Sequence, residues 1–328
     1  MQLHEFYRLP PGLLETPASQ LFQILPGPSL IHLPGLHNPQ LFISVLLHGN
    51  ETSGWDAVRQ LLTEFSGHLP RSISLFIGNI EAAATGVRRL DTQPDYNRIW
   101  RNAEGPEANL AKQVLARMAQ EKLFASIDIH NTSGSNPPHV VITRMDSDTY
   151  GLGSLFSTRL VYILSPDTTL SRAFDTLCPA VTLECGRADN PEASTAALCF
   201  LRELITLKRL PSVTPDAVEL YRTLAKVLVN QHLNFGFHPG HALVLRKELQ
   251  DANFKTLDAG TALGFLERSH HEPLIALNVD SKDVSHEFFR IDDNEVLLAR
   301  EAIPAMYTPD PKIIRQDCLC YLMERIPV

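Results

Sequence analysis

Two short segments, His48-Gly-Asn-Glu51 and Ser126-Ile-Asp-Ile-His130, carry the residues of this chain whose types and spacing could hold a metal ion. An imidazole and a carboxylate three residues apart converge on one ion if the chain turns sharply between them, and Gly49-Asn50 is a turn-forming pair. Together they suggest a catalytic zinc site. His130 is the candidate third ligand, with Asp128 two positions before it. An isolated H-x-x-E is expected about once by chance among 13 histidines and 37 acidic residues, so its weight comes from its placement. Both histidines end short apolar runs, where open α/β sheets collect ligands and catalytic groups.

The elements that must position these residues are legible from about residue 40. Strand-like runs cover Leu41 to Leu47, Ile73 to Ile77, Ser126 to Ile129, His139 to Thr143, Leu160 to Leu164 and Val181 to Glu184. Helical patterns lie between them: Val58, Leu61, Leu62 and Phe65 after Ser53-Gly54; Leu110, Val114, Leu115 and Met118; and Leu198, Leu201 and Leu204 in a stretch from Pro191 to Leu207. This alternation predicts an α/β fold with a mixed, largely parallel sheet flanked by helices. The proline-bearing connector Leu210-Pro-Ser-Val-Thr-Pro215 reads as a boundary, giving a catalytic domain over 1–210 and a smaller β-rich C-terminal domain over 211–328.

Composition narrows the class. With 328 residues, 44% hydrophobic, the chain is long enough for two cores. A net charge of -8, and no Lys/Arg run longer than a pair, argue against nucleic acid as a partner. No apolar stretch approaches the roughly twenty residues that span a bilayer, so no membrane partner is expected. The first residues lack a basic segment and apolar core of the secretory type. Five irregularly spaced cysteines fit reduced thiols and a cytoplasmic location. A homo-oligomer is left open.

His48-Gly-Asn-Glu51, Asp95-Tyr-Asn97-Arg98, Asp128-Ile-His130-Asn131-Thr132 and Leu183-Glu184-Cys-Gly186 occur in the order and approximate spacing of the succinylglutamate desuccinylase and aspartoacylase family. The chain resembles that family, part of the wider zinc carboxypeptidase-like group, over about residues 40 to 210. The resemblance implies one zinc ion per chain, held by His48, Glu51 and His130. Two histidines and a glutamate leave zinc an open position, and water held there can reach a pKa of about 7. By similarity, Glu184 takes a proton from that water and passes it to a leaving amine. Arg88 matches an arginine pointed at the developing oxyanion, with Arg89 as its substitute because Thr92-Gln-Pro94 lengthens the intervening segment. Asn97 and Arg98 resemble a clamp for a substrate carboxylate. Tyr307 matches a late tyrosine of the substrate pocket. Asp95 and Asp128 fit as carboxylates supporting ligand histidines.

The function implied is zinc-dependent cleavage of the amide bond of a small anionic N-acyl amino acid. The alternatives are a metallocarboxypeptidase acting on peptides and, in another class, a non-catalytic metal-binding or scaffold protein. His238-Pro-Gly-His241 and Glu267-Arg-Ser-His270-His271-Glu272 also carry ligand-type residues, but in turn-rich contexts that read as loops. Cys185 has no basic neighbour and reads as buried and inert.

Overall fold

The computed structural model describes residues 2–267 and 272–327. His270 and His271 of the second histidine cluster lie outside the described residues. The chain divides into two compact units, Met1–Asn131 with Pro138–Glu219, and Thr132–Pro137 with Leu220–Val328. The expected boundary at 210 falls inside the connector, and the first unit continues through Glu219. The connector is fastened to the first unit: Pro211 lies so close to Gly151 that a Cβ there would meet its carbonyl oxygen at 1.9 Å, and Glu219 N donates to Thr158 O.

The first unit contains strands β1 (His4–Phe6), β2 (Ser29–Leu33), β3 (His37–Val45), β4 (Arg71–Ile77), β5 (Leu123–His130), β6 (His139–Ile142), β7 (Arg159–Tyr162) and β8 (Ala180–Glu184). Its helices are α1 (Ser53–Glu64), α2 (Ile80–Thr85), α3 (Pro106–Met118), α4 (Ser147–Ser154), α5 (Leu170–Phe174) and α6 (Pro191–Thr206). The sheet order is β1-β2-β4-β3-β5-β8-β6-β7. Its centre, β4-β3-β5-β8, is parallel throughout, while β2 and β6 run antiparallel to their central neighbours. The central strands are buried on both faces, which is why they read as continuous apolar runs.

Helices cover the two faces with different partners. Phe42 of β3 and Phe76 of β4 pack in one cluster with Leu110, Val114 and Met118 of α3 and Leu170 and Phe174 of α5. The Phe42 and Phe174 rings stack at 4.2 Å. On the other face α1 approaches Val45 and Ile129 so closely that a Cβ on Gly54 would lie 2.9 Å from Ile129 Cβ. α1 packs on α6, whose start is set by Pro191 and by an Asn190 side chain accepting from Glu192 N.

From β3 the chain crosses to β4 on one side, then back over to β5 on the other. The crevice between the carboxyl ends of β3 and β5 is therefore a topological switch point, the usual binding place of an open α/β sheet.

The second unit is β-rich, as the sequence predicts. Strands β9 (Glu219–Val229), β10 (Phe235–Gly236), β11 (Leu243–Leu245), β12 (Ala262–Leu266), β13 (Leu274–Leu277), β14 (Phe289–Asp292), β15 (Glu295–Leu298), β16 (Ile303–Ala305) and β17 (Cys320–Arg325) form two groups. One is the sheet β10-β11-β12-β15-β14, and the other places β9 between β13 and β17, with β16 on the far side of β17. Val227, Leu245, Ala276, Leu298 and Leu322 share a core between these strands.

One close approach in the first unit is open to test. A Cβ on Gly49 would sit 2.2 Å from the backbone of Ala82 and Ala83 in α2, so only glycine fits. Gly49→Ala should destabilise the protein by about 1–3 kcal/mol, the usual range for overpacking. Urea unfolding of the two proteins measures this, and an unchanged midpoint would show that α2 is free to yield.

Candidate metal centre

Three neighbouring strand ends deliver the site. His130 closes β5 and Glu184 closes β8, paired directly across the ladder. His48 follows β3 after a forced turn: Leu46, fully buried, has a left-handed backbone with φ 58°, and its carbonyl accepts from Asn79 N at 2.6 Å. A left-handed leucine costs about 1–2 kcal/mol, and here the surrounding backbone enforces it at the entrance to the ligand turn. Glu51 N then donates to His48 O, closing the turn that brings imidazole and carboxylate to one side.

The three expected ligands meet. His48 Nδ1 lies 2.9 Å from Glu51 Oε1, His130 Nδ1 lies 2.7 Å from Glu51 Oε2, and the two Nδ1 atoms are 3.2 Å apart. Among the described residues this is the one His/Cys/Asp/Glu group able to share an ion, and all three members are buried. The opposite ring nitrogens are committed: His48 Nε2 is 2.9 Å from Asp95 Oδ1, and His130 Nε2 is 2.8 Å from Asp128 Oδ2. A carboxylate accepting from Nε2–H keeps Nδ1 available as the metal-facing atom. Asp128 reaches its histidine easily because residues two apart on a strand share a face. Two nitrogens and a carboxylate, each with its outer partner in place, form a donor set suited to zinc.

Arg88 is the arginine that turns inward. It donates to Asp95 Oδ2 through Nε at 3.2 Å and Nη2 at 2.8 Å, and its Nη1 is 3.5 Å from Glu51 Oε1. Arg89 instead donates to the Gln93 carbonyl at 2.9 Å. Asp95 also accepts from Asn97 N, so one carboxylate fixes His48, Arg88 and the start of the Asn97-Arg98 turn. Burial alone would raise the Asp95 pKa, but the charges of His48 and Arg88 outweigh it and hold this carboxyl well below the usual range. The same contest lowers Glu51, where burial loses to His48 and His130. It raises His130, where burial loses to Asp128 and Glu51.

Asn97 accepts from Leu170 N at 3.0 Å, and its Nδ2 lies 3.5 Å from His130 Nε2. Arg98 donates to the Asn97 carbonyl at 2.9 Å. Glu184 differs from the other carboxyl groups. It is buried, no group among the described residues hydrogen-bonds its Oε2, and burial together with the Glu51 charge pushes its pKa up to about 8, against the pull of His130 and Arg88. A carboxyl in that state holds a proton near neutral pH and gives it up readily.

The other residues singled out in the sequence have the following partners. Tyr307 belongs to the second unit, where its hydroxyl donates to the Arg246 carbonyl at 2.9 Å. His241 turns its Nδ1 to the His238 carbonyl at 2.9 Å, and Glu267 accepts from Gly240 N, the bonding of an ordinary loop. Cys185 is buried with its thiol pKa raised by burial and by the Glu184 and Glu51 charges, so it is inert. Sequence reasoning reads Asn131-Thr132-Ser133-Gly134 equally as a pocket rim or an ordinary turn; Asn131 itself is buried and bonded to Glu51, Ser53 and Gly186. Sequence reasoning also missed Gln93, whose amide joins Asn79, which caps α2, to Glu81 and so folds the segment carrying Arg88 and Asp95. Neither side chain has a local sequence signal, because its partners are distant in the chain.

Residues 37–197 match the sequence model of the succinylglutamate desuccinylase/aspartoacylase catalytic domain. The likeness to that family rests on this domain, which spans just under half of the chain. No curated protein matches the chain. Among solved structures, the succinylglutamate desuccinylase of Chromobacterium violaceum is similar with a TM-score of 0.59 at 18% identity, over 88% of this chain and 85% of that one. Murine aminoacylase 3 is similar with a TM-score of 0.59 at 18% identity, over 89% and 97%. The desuccinylase of Vibrio parahaemolyticus gives 0.60 at 17%, over 90% and 84%. At these identities the likeness is one of fold.

Two outcomes test the electrostatics. In metal-stripped protein, a buried Glu184 with pKa about 8 against an ordinary 4.5 binds its proton more tightly folded than unfolded. Its presence therefore costs stability progressively from pH 4.5 upward, saturating above pH 8 at an order of a few kcal/mol. Glu184→Gln, which never ionises, should melt higher than the parent at pH 8 to 9 and converge with it toward pH 4. A difference that does not grow with pH would contradict the raised pKa. Asp128→Asn should weaken metal binding about 10–100-fold in a chelator competition, the usual loss when a ligand histidine is deprived of its carboxylate; undiminished affinity would remove Asp128 from the centre.

Proposed function

We propose that this protein is a zinc-dependent hydrolase that cleaves the amide bond of a small anionic N-acyl amino acid, with one zinc ion per chain. The observation that carries the reading is the juxtaposition of two chemistries at adjacent strand ends. His48, Glu51 and His130 form a three-donor group, and paired across the ladder from His130 stands Glu184, a buried carboxyl with a pKa of about 8. A site that only stored a metal would have no use for the second. The family's catalytic domain, and the fold shared with proteins named as desuccinylases and an aminoacylase, favour a deacylase.

When bound, zinc would polarise the scissile carbonyl and lower the pKa of water. The chain's own residues supply the rest. Glu184, a buried carboxyl paired across the ladder from His130, suits both halves of a proton transfer: it accepts from the attacking water as a carboxylate and donates to the leaving amine as an acid. Asp95 holds the Arg88 guanidinium in a two-point grip, so that its remaining donor edge is set toward the Glu51 side, where negative charge develops on the carbonyl oxygen. Asn97 and Arg98 are assigned to the substrate carboxylate, with the Leu170 amide fixing the Asn97 side chain and Asp95 fixing its backbone. Tyr307, whose hydroxyl donates to the Arg246 carbonyl, is assigned to substrate binding on the family resemblance alone. Five irregularly spaced cysteines suit a reducing compartment such as the cytoplasm.

The test is an activity screen over N-acetyl, N-succinyl and N-formyl amino acids and short peptides, with and without chelator, alongside metal analysis. Chelation should abolish turnover and zinc should restore it. Glu184→Gln should retain full zinc content while kcat falls about 10²–10⁴-fold, the range for loss of a general acid–base. Zinc content and hydrolysis both unchanged in that variant would falsify the assignment, and turnover confined to peptides would replace the substrate class.

A further inference from the structure

Asn131 lies one residue beyond His130 and is buried, and its bonding leaves no ambiguity about which way its amide points. Oδ1 is 3.2 Å from Ser53 N, which can only donate, and Nδ2 is 2.8 Å from the Gly186 carbonyl, which can only accept. Nδ2 also donates to Ser53 Oγ at 2.9 Å, and the Asn131 backbone N–H donates to Glu51 Oε2 at 3.1 Å.

These partners belong to the loops that follow three adjacent strands. Ser53 opens α1, two residues after Glu51; Gly186 sits in a left-handed turn with φ 89°, two residues after Glu184; Asn131 itself follows His130. Each loop carries one of the groups assigned a chemical task. The strand ladders fix where the strands end, but the ladder pairing of β5 with β8 stops at His130 and Glu184. Beyond that point the side chain of Asn131 joins all three loops.

We propose that Asn131 is the positioning residue that sets Glu184 against the Glu51–His130 pair, by clamping the turns after β3, β5 and β8 with one amide. The proposal rests on the reading of His48, Glu51 and His130 as zinc ligands and Glu184 as proton carrier. Only asparagine suits the position. Aspartate would face the Gly186 carbonyl with an oxygen and add charge beside Glu51, and leucine would leave Ser53 N–H and the Gly186 carbonyl unanswered in a buried place.

The experiment compares the parent protein with Asn131→Ala, Asn131→Asp, Ser53→Ala and the Asn131→Ala/Ser53→Ala pair. Zinc affinity is read by competition with a chromogenic chelator, and kcat per bound zinc and KM are read on whichever N-acyl amino acid the parent accepts. Asn131→Ala should weaken zinc binding about tenfold or more through the loosened Glu51, as lost outer-shell bonds do. Its kcat per bound zinc should fall about 10–100-fold, with KM changed by less than about threefold, because a misplacement near 1 Å penalises the reacting geometry rather than substrate capture. Ser53→Ala breaks one bond of the clamp and should lose only a few-fold, and in the pair that loss should fail to add to that of Asn131→Ala. If Asn131→Ala does not fold, the near-isosteric Asn131→Asp carries the same expectation. A lowered melting temperature with parental zinc affinity and parental kcat per bound zinc in the folded variants overturns the positioning role. A parent that binds no zinc overturns the reading beneath it, and this proposal falls with it.

Discussion

Burying several carboxyl groups in one place is the constraint on which the site depends. Glu51, Asp128 and Glu184 are buried and, with the partly buried Asp95, converge around two imidazoles; an isolated buried charge is prohibitively costly unless it is paired or neutralised. Each is treated differently. Asp95 is answered by Arg88, Asp128 and Glu51 by the histidines, and Glu184 by keeping its proton. The arrangement is high-stakes, since removal of any partner leaves a charge exposed to a poor solvent. It also explains why a divalent cation fits: positive charge between the two Nδ1 atoms and Glu51 would take over a role the His130 imidazole otherwise fills by binding a proton.

That constraint selects the fold's geometry. Parallel strands end at the same edge, so β3, β5 and β8 bring their final residues to one side without long loops. The crossing of the chain from β4 to β5 opens the crevice between them. Helices on both faces bury the central strands, whose interiors hold small polar residues such as Ser44, Ser74, Ser126 and Thr182, while ionisable side chains gather at the strand ends and at Asp128, which shares a face with His130. Backbone strain at Leu46 and the tight approach of α2 to Gly49 belong to the same economy of space.

The segment from Asn79 to Arg98 shows how much of such a site is built by indirect contacts. Arg88 and Asp95 reach the centre only because Gln93 and Asn79 fold the intervening chain and because Gly49 N donates to the Arg88 carbonyl. The asymmetry between Arg88 and Arg89 is decided there: one guanidinium meets Asp95, while its neighbour in sequence turns to the Gln93 carbonyl.

Sequence by itself determined the six strand-like runs, the three long helices, the β-rich second part and the spacing that pairs His48 with Glu51. These rest on local periodicity and on short-range spacing, which physics reads without knowledge of the rest of the chain. Tertiary structure decided what depends on residues far apart: the antiparallel placement of β2 and β6, the unit boundary at Glu219, the inward choice of Arg88, the pairing of Asp95 with His48, and the joining of three loops by Asn131. The raised pKa of Glu184 is of the same kind. A glutamate at the end of an apolar run has the same local sequence whether it faces water or a closed pocket, and only packing by distant elements removes the water that would keep its charge cheap.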